Sequence, residues 1–287
     1  MKKENFLPLS IVISALILGG SWAYTHGGIK QQASVGEALI DENSVIPQEG
    51  VELPVIWGNI GAQMVEKGVI DSTQFESLYS DRGGMDDEMK KILYGSDNGK
   101  IKMTPENAGF LLNAFWALGL GNKNPILENG PMSDPQYGGA GNFASTGGWT
   151  LSRGNAMNHY SMHAFMILSP EQQSLVERVS KGIYRPCCGN SVHFPDCNHG
   201  MAMLGLLELM ASQGMNEADI WKAALAVNSY WFPDTYLTIA MYVKNNGVDW
   251  KNVNPQEVLG INYSSAQGYA RVASQVVRPQ QQGGGSG

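Results

Sequence analysis

Apolar residues recur along this chain at a helical period and hardly anywhere at period two. Ile56, Ile60, Met64 and Val65 fall on one face and stop at Gly68; Phe75, Leu78 and Tyr79 make a second short stripe, and Met89, Ile92 and Leu93 a third. Thr104-Pro105-Glu106 reads as an N-cap, a first-turn proline and an acidic first turn. It opens a helix through Leu111, Leu112, Phe115, Trp116 and Leu118 that Gly119 and Gly121 end. Ser169-Pro170-Glu171-Gln172 has the form of a capping box, starting a helix that runs to about Lys181. Gly200 to Ala211 is strongly apolar, Asn216 caps a helix to about Val227, and Tyr236 to Val243 adds another. Asn254-Pro255-Gln256-Glu257 repeats the capping-box pattern. Strand alternation is almost absent and no internal repeat stands out. The pattern predicts an all-α fold, a single globular multi-helix domain over residues 54–278.

One stretch breaks the helical pattern. Between residues 129 and 154, seven glycines sit among Tyr137, Phe143 and Trp149. A loop of that length without elements of its own is uncommon unless it serves a function, and its aromatics argue for packing. The reading is a folded surface loop over a site.

The N-terminus sets the expected compartment. Lys2 and Lys3 precede an uncharged run from Phe6 to Tyr24. As a helix this run is roughly 28 Å long, close to the thickness of a hydrocarbon core. With the lysines held in the cytoplasm, the body of the chain would lie outside it. The expectation is a signal anchor over residues 1–27 and a single-pass membrane protein with its bulk extracytoplasmic. A cleaved signal peptide is the rival reading, although Ser21-Trp22-Ala23 is a poor small-x-small cleavage site. Residues 28–53 read as a tether, and residues 279–287 as a low-complexity tail.

Composition narrows the function. Charged residues are only 16% of the chain and the formal net charge is −7, with no basic block to recruit phosphates, so nucleic acid is not an expected partner. Ser96-Asp97-Asn98-Gly99 lacks the carboxylates of a calcium loop, and Gly138-Gly139-Ala140-Gly141 lacks the lysine of a phosphate loop.

The candidate chemistry is concentrated. All three cysteines and four of the five histidines lie between residues 159 and 199. If residues 159–163 are helical, His159 and His163 share a face and can bind one ion. Cys187, Cys188 and Cys197 lie in a loop whose Gly189 and Pro195 let it fold back. Cys197 and His199 stand just before an apolar helix, whose N-terminal amides favour a thiolate. Thiolate and imidazole together suit copper or zinc. Met157, Met162, Met166, Met201, Met203 and Met210 flank the same segments. As thioethers they tilt the choice toward copper, although methionines on apolar helices commonly fill cores. The expected ligands are therefore His159, His163, Cys187, Cys188, Cys197 and His199, brought together across the helix Pro170–Lys181. His193 is the histidine least expected to join them.

Two other readings remain open. Cys188 or Cys197 could act as a nucleophile, with His159, His163 or His199 as base and Asp196 or Asn190 orienting it. Alternatively, Cys197 pairs with Cys187 or Cys188 in a structural disulfide, as an oxidising compartment favours, leaving one thiol over in an interaction domain. Asp134, Asp196, Glu208 and Asp234 offer carboxylates for glycoside hydrolysis, but no spacing singles out a pair.

Overall fold

A computed structural model describes residues 40–81 and 83–276. The expected anchor, residues 28–39 of the expected tether and the low-complexity tail lie outside those residues. Among the described residues no helix is long and apolar enough to cross a membrane.

The chain is mostly helical, 57% helix against 8% strand, so the all-α expectation holds for the bulk and fails at one place. Strands β1 (Val51–Gly58) and β2 (Asn98–Met103) pair antiparallel. In β1, Leu53, Val55 and Trp57 point into the core while Ile56 is 57% exposed. Ile56 therefore does not share a helical face with Ile60 and Met64. The period-two signal here is only three core residues long and is interrupted by Pro54, which hid it. Pro54 itself sits beside the irregularity in strand pairing between Glu52 and Ile56, where its missing N–H costs no ladder bond. Upstream, the short helix α1 (Glu42–Val45) leads Val45 and Ile46 into the core, so the packed unit already includes residues assigned by composition to the tether.

The helices that follow are α2 (Ile60–Lys67), α3 (Ser72–Ser80), α4 (Asp87–Tyr94), α5 (Ala108–Gly121) and α6 (Pro125–Asn129). Helix α5 begins later than Pro105 because Thr104 and Asn107 bond each other's backbone N–H groups and close a turn first. Beyond the glycine-rich segment come α7 (Pro170–Gly182), α8 (Asn198–Ser212), α9 (Glu217–Trp231) and α10 (Pro233–Asn245). The chain closes with α11 (Pro255–Val258), α12 (Ile261–Ser264) and α13 (Ala266–Ala273). Ser169 and Gln172 form the capping box at α7, and Asn216 caps α9 through the Asp219 N–H. Asn254 caps Gln256 instead of the third helical residue, and α11 lasts only four residues.

Helix α8 is the axis of the core. Every residue from Gly200 to Ala211 is buried, as an all-round apolar sequence requires. It crosses α5 at a pair of glycines. A Cβ on Gly119 would stand 2.0 Å from the Met201 carbonyl oxygen, and one on Gly205 would meet the Gly119 nitrogen at 2.6 Å and the Phe115 oxygen at 2.7 Å. Both obstacles are backbone and cannot rotate aside. Gly205→Ala is therefore expected to force the helices apart and to cost about 3 kcal/mol or more, at the upper end for overpacking. Gly109→Ala, on the same α5 but in open space, should instead stabilise by about 0.5–1 kcal/mol. Urea denaturation midpoints of the two variants check the contrast; equal midpoints would mean the crossing is loose.

The glycine-rich segment is folded, as its aromatics suggested. It winds through short 3-10 turns at Pro131–Ser133, Pro135–Tyr137 and Ala140–Asn142. Trp149 is buried, stacks edge-on to Trp116 with centroids 4.9 Å apart, and donates its indole N–H to the Val69 carbonyl. Trp116 donates in turn to the Ser145 carbonyl, and the Ser145 N–H reaches the Asp196 carbonyl. The segment is thus tied directly to the cysteine loop.

Candidate metal centre

The cysteine loop is a tight knuckle between α7 and α8. Tyr184 and Ser191 pair antiparallel across its neck, the Val192 N–H bonds the Ile183 carbonyl, and the Cys188 N–H turns back onto the Arg185 carbonyl. The Cys188 carbonyl accepts from the Ala266 N–H and so fastens the loop to the start of α13. On the outer side Phe194 packs against Tyr137 and Phe143, with ring centroids 5.3–5.5 Å apart.

This fold brings the three thiols together. The sulfurs of Cys187, Cys188 and Cys197 all lie within 4.8 Å of one another, and Cys187 and Cys197 are 3.5 Å apart. A tetrahedral ion with 2.3 Å metal–sulfur bonds holds its thiolates about 3.8 Å apart, so the spacing is compatible with a shared ion. A disulfide would need the sulfurs to close to about 2.05 Å.

Cys197 is itself the N-cap of α8, its sulfur accepting the Gly200 N–H at 3.4 Å. Its thiol is held well below the ordinary range. Hydrogen bonds from Cys187 and Cys188 are the main cause, with His199 and the Arg185 charge adding to them against the opposing effect of burial. The same contacts push the Cys187 thiol up, because it donates toward its neighbours and is partly desolvated.

Beneath the sulfurs lies Arg185, fully buried. Its Nη2 donates to Asp196 Oδ1 at 2.6 Å, to Cys188 Sγ at 3.1 Å and to the Phe194 carbonyl at 3.3 Å. Burial works against this charge, and the surrounding thiols and Asp196 overcome it, so its pKa rises. Gly200 makes the placement possible: a Cβ there would stand 2.7 Å from the guanidinium carbon. Asp196 is steadied from its other oxygen by Asn190 Nδ2 at 2.8 Å. Asp196 and Asn190 thus serve the arginine, where the sequence suggested they might orient a catalytic histidine. Arg185 itself was missed. The available signal was the one arginine or lysine of the cysteine loop, in Tyr184-Arg185-Pro186-Cys187-Cys188, with Asp196 as the loop's one carboxylate.

The histidines part company. His199 sits in the first turn of α8 beside Cys197 and packs on Phe232 with centroids 4.3 Å apart; its Nδ1 is buried and makes no hydrogen bond. His193 turns toward Ser180, 3.4 Å from its hydroxyl. None of the expected histidine ligands, His199, His159 or His163, is in the sulfur group, which holds the three cysteines alone. Residues 159–163 are not helical: a 3-10 turn ends at Asn158, and Ser161 takes a left-handed φ of 55°, which no helix accommodates. The turn is held because the Ser161 hydroxyl accepts the Asn124 N–H and the His163 strand pairs with Asn122. The two imidazoles still meet each other, at 3.1 Å. The His163 backbone pairs with Asn122, whose side chain bonds Glu208, about three turns along α8 from Cys197. The capped helix α7 does not bring the two segments into one site.

The class these features define is a mostly helical protein with a three-cysteine cluster over a buried arginine. Comparison of the chain with protein-family models, with curated proteins and with solved structures finds no match, so the functional reading rests on this geometry alone.

Proposed function

We propose that the protein binds a thiophilic metal ion through Cys187, Cys188 and Cys197, with His199 the nearest imidazole available as a fourth ligand, in metal handling or redox chemistry. The observation that carries this reading is the mutual approach of three sulfurs within 4.8 Å, at a spacing one ion can bridge. Charge supports it as well. Three thiolates around one ion leave a net negative centre, and a buried guanidinium already stands against it. Soft thiolate ligands suit Cu(I) and Zn(II), and the one carboxylate at hand, Asp196 Oδ1 at 3.9 Å from Cys188 Sγ, is engaged by Arg185. We further propose that the protein acts outside the cytoplasm, anchored by the apolar run Phe6–Tyr24, where a bound ion would keep the thiols from oxidising.

A thiol-dependent reaction is the second reading, favoured by one observation: a low-pKa sulfur at Cys197 with Cys187 3.5 Å away to resolve it. One experiment separates the two. The full chain, made without a His tag and recovered from carbonate-washed membranes, is analysed for metal and for free thiols before and after denaturation. The metal reading expects about one copper or zinc equivalent held by the sulfurs and three thiols that react only after chelation. A metal-free protein with one fast-reacting thiol would support the second reading, and one with a single inert thiol would mean a structural disulfide. A chain found only in the soluble fraction would overturn the anchor.

A further inference from the structure

We infer that His159 and His163 form a second metal site, separate from the cysteines, which takes a divalent ion of the imidazole-preferring class, Cu(II) or Zn(II). His159 Nδ1 and His163 Nε2 face each other at 3.1 Å. Two nitrogens bound side by side to copper or zinc at 2.0–2.1 Å are about 2.8 Å apart at a square-planar angle and about 3.4 Å apart at a tetrahedral one. The observed separation falls between those limits.

The tautomer of His159 is also fixed. His159 Nε2 lies 3.1 Å from the Arg153 carbonyl oxygen, an acceptor only. The ring must therefore carry its proton on Nε2, which turns the Nδ1 lone pair toward His163. A ligand histidine whose other N–H is fixed by a carbonyl is the usual supporting arrangement at metal sites. His159 is 8% exposed, so its ring is locked by packing, and His163 stacks on Phe165 with centroids 5.3 Å apart. His163 is the more open of the two, leaving solvent to complete the coordination.

The nearby cations do not block the site. The Arg153 guanidinium is turned away to the Val65 carbonyl, which its Nη2 reaches at 2.8 Å. Lys67 is exposed and lies 3.4 Å from the Glu66 carboxylate. The local backbone serves the same end: the left-handed Ser161 folds the chain so that residues 159 and 163 meet without a helix. Backbone bonds from Ser161 and His163 to Leu120 and Gly121 then hold them there.

The alternative is that the two rings share a proton and bind nothing, which the same separation allows. Zinc stoichiometry by equilibrium dialysis of the untagged full chain distinguishes these. Wild type should bind one equivalent more than His163→Gln, whose half-exposed position leaves the fold intact by circular dichroism. The Cys187→Ser/Cys188→Ser/Cys197→Ser variant loaded with Cu(II) should give a paramagnetic resonance spectrum split by two nitrogens, lost when His163→Gln is added. If that cysteine variant does not fold, the zinc difference between wild type and His163→Gln decides alone. Equal zinc binding by wild type and His163→Gln would overturn the inference. The test is independent of the cysteine centre, because the one-equivalent difference persists whether or not the sulfurs hold an ion.

Discussion

Arg185→Met is expected to cost the fold about 3 kcal/mol or more and to make Cys197 less acidic. The guanidinium is fully buried and pairs with Asp196, whose side chain is only 20% exposed. Removing one partner of such a pair leaves the other charge poorly solvated, a loss of about 3–5 kcal/mol. Asp196 keeps some water, which sets the expectation at the lower end. Arg185→Lys should rescue little. All three contacts, to Asp196, Cys188 and the Phe194 carbonyl, come from Nη2 at the far end of the guanidinium, which the shorter lysine side chain does not reach. The double variant Arg185→Met/Asp196→Leu separates the two roles of the arginine. Replacing a buried ion pair by apolar groups is commonly near neutral, so much of the stability should return. The thiol chemistry should not, because the counter-charge remains absent. Urea midpoints report the first effect. The pH dependence of Cys197 reaction with a disulfide reagent reports the second, its midpoint moving upward in both variants. Unchanged midpoints in both measurements would mean that Arg185 is a spectator.

The elements legible in the sequence were those with a strong local cause. The capping box at Ser169 and Gln172 forms as read because each partner satisfies a helix-end donor within the same turn. Helix α8 was recognisable from a run of apolar residues that only a central position can satisfy, although it begins at Asn198, ahead of the run at Gly200, so that His199 falls inside the helix instead of before it. The cysteines cluster because few residues separate them, so a single knuckle suffices. What escaped depends on partners distant in sequence. β1 needs β2, some 40 residues later, before its alternation acquires a buried face. Arg185 is placed by Gly200 and Asp196, neither of which marks an arginine site by itself. The histidine spacing suggested one helix face, yet a left-handed serine anchored to Asn124 brings the rings together by another route. Backbone that turns on a tertiary hydrogen bond leaves no periodic trace.

Glu208 illustrates the same limit and carries the other large effect, a dependence of stability on pH. It lies in the middle of α8, wholly buried, with no cation beside it. Its two oxygens accept from Asn122 Nδ2 at 2.6 Å and Asn124 Nδ2 at 2.7 Å. Both amides are held in that orientation, because Asn122 Oδ1 takes the Met166 N–H and Asn124 Oδ1 takes the Ile126 N–H. Burial raises the carboxyl well above its usual value of 4.5, and the two amide donors only partly oppose it. The folded protein therefore keeps a proton on Glu208 at pH values where the unfolded chain has released it. That sign makes its contribution fully present below about pH 4.5 and progressively lost as pH rises toward the folded-state pKa. The slope is at most about 1.4 kcal/mol per pH unit for one proton. Glu208→Gln removes the titration but sets an amide N–H2 against an asparagine N–H2, leaving a buried donor unpaired at a cost of about 1–3 kcal/mol. Wild type should thus exceed Glu208→Gln in stability by the most near pH 5, and the gap should narrow steadily toward pH 8. Urea unfolding of both proteins across that range isolates the effect, since every other titrating group is common to the two. A gap that widens with pH would show that the carboxylate is ionised in the fold, and that Asn122 and Asn124 together outweigh its burial.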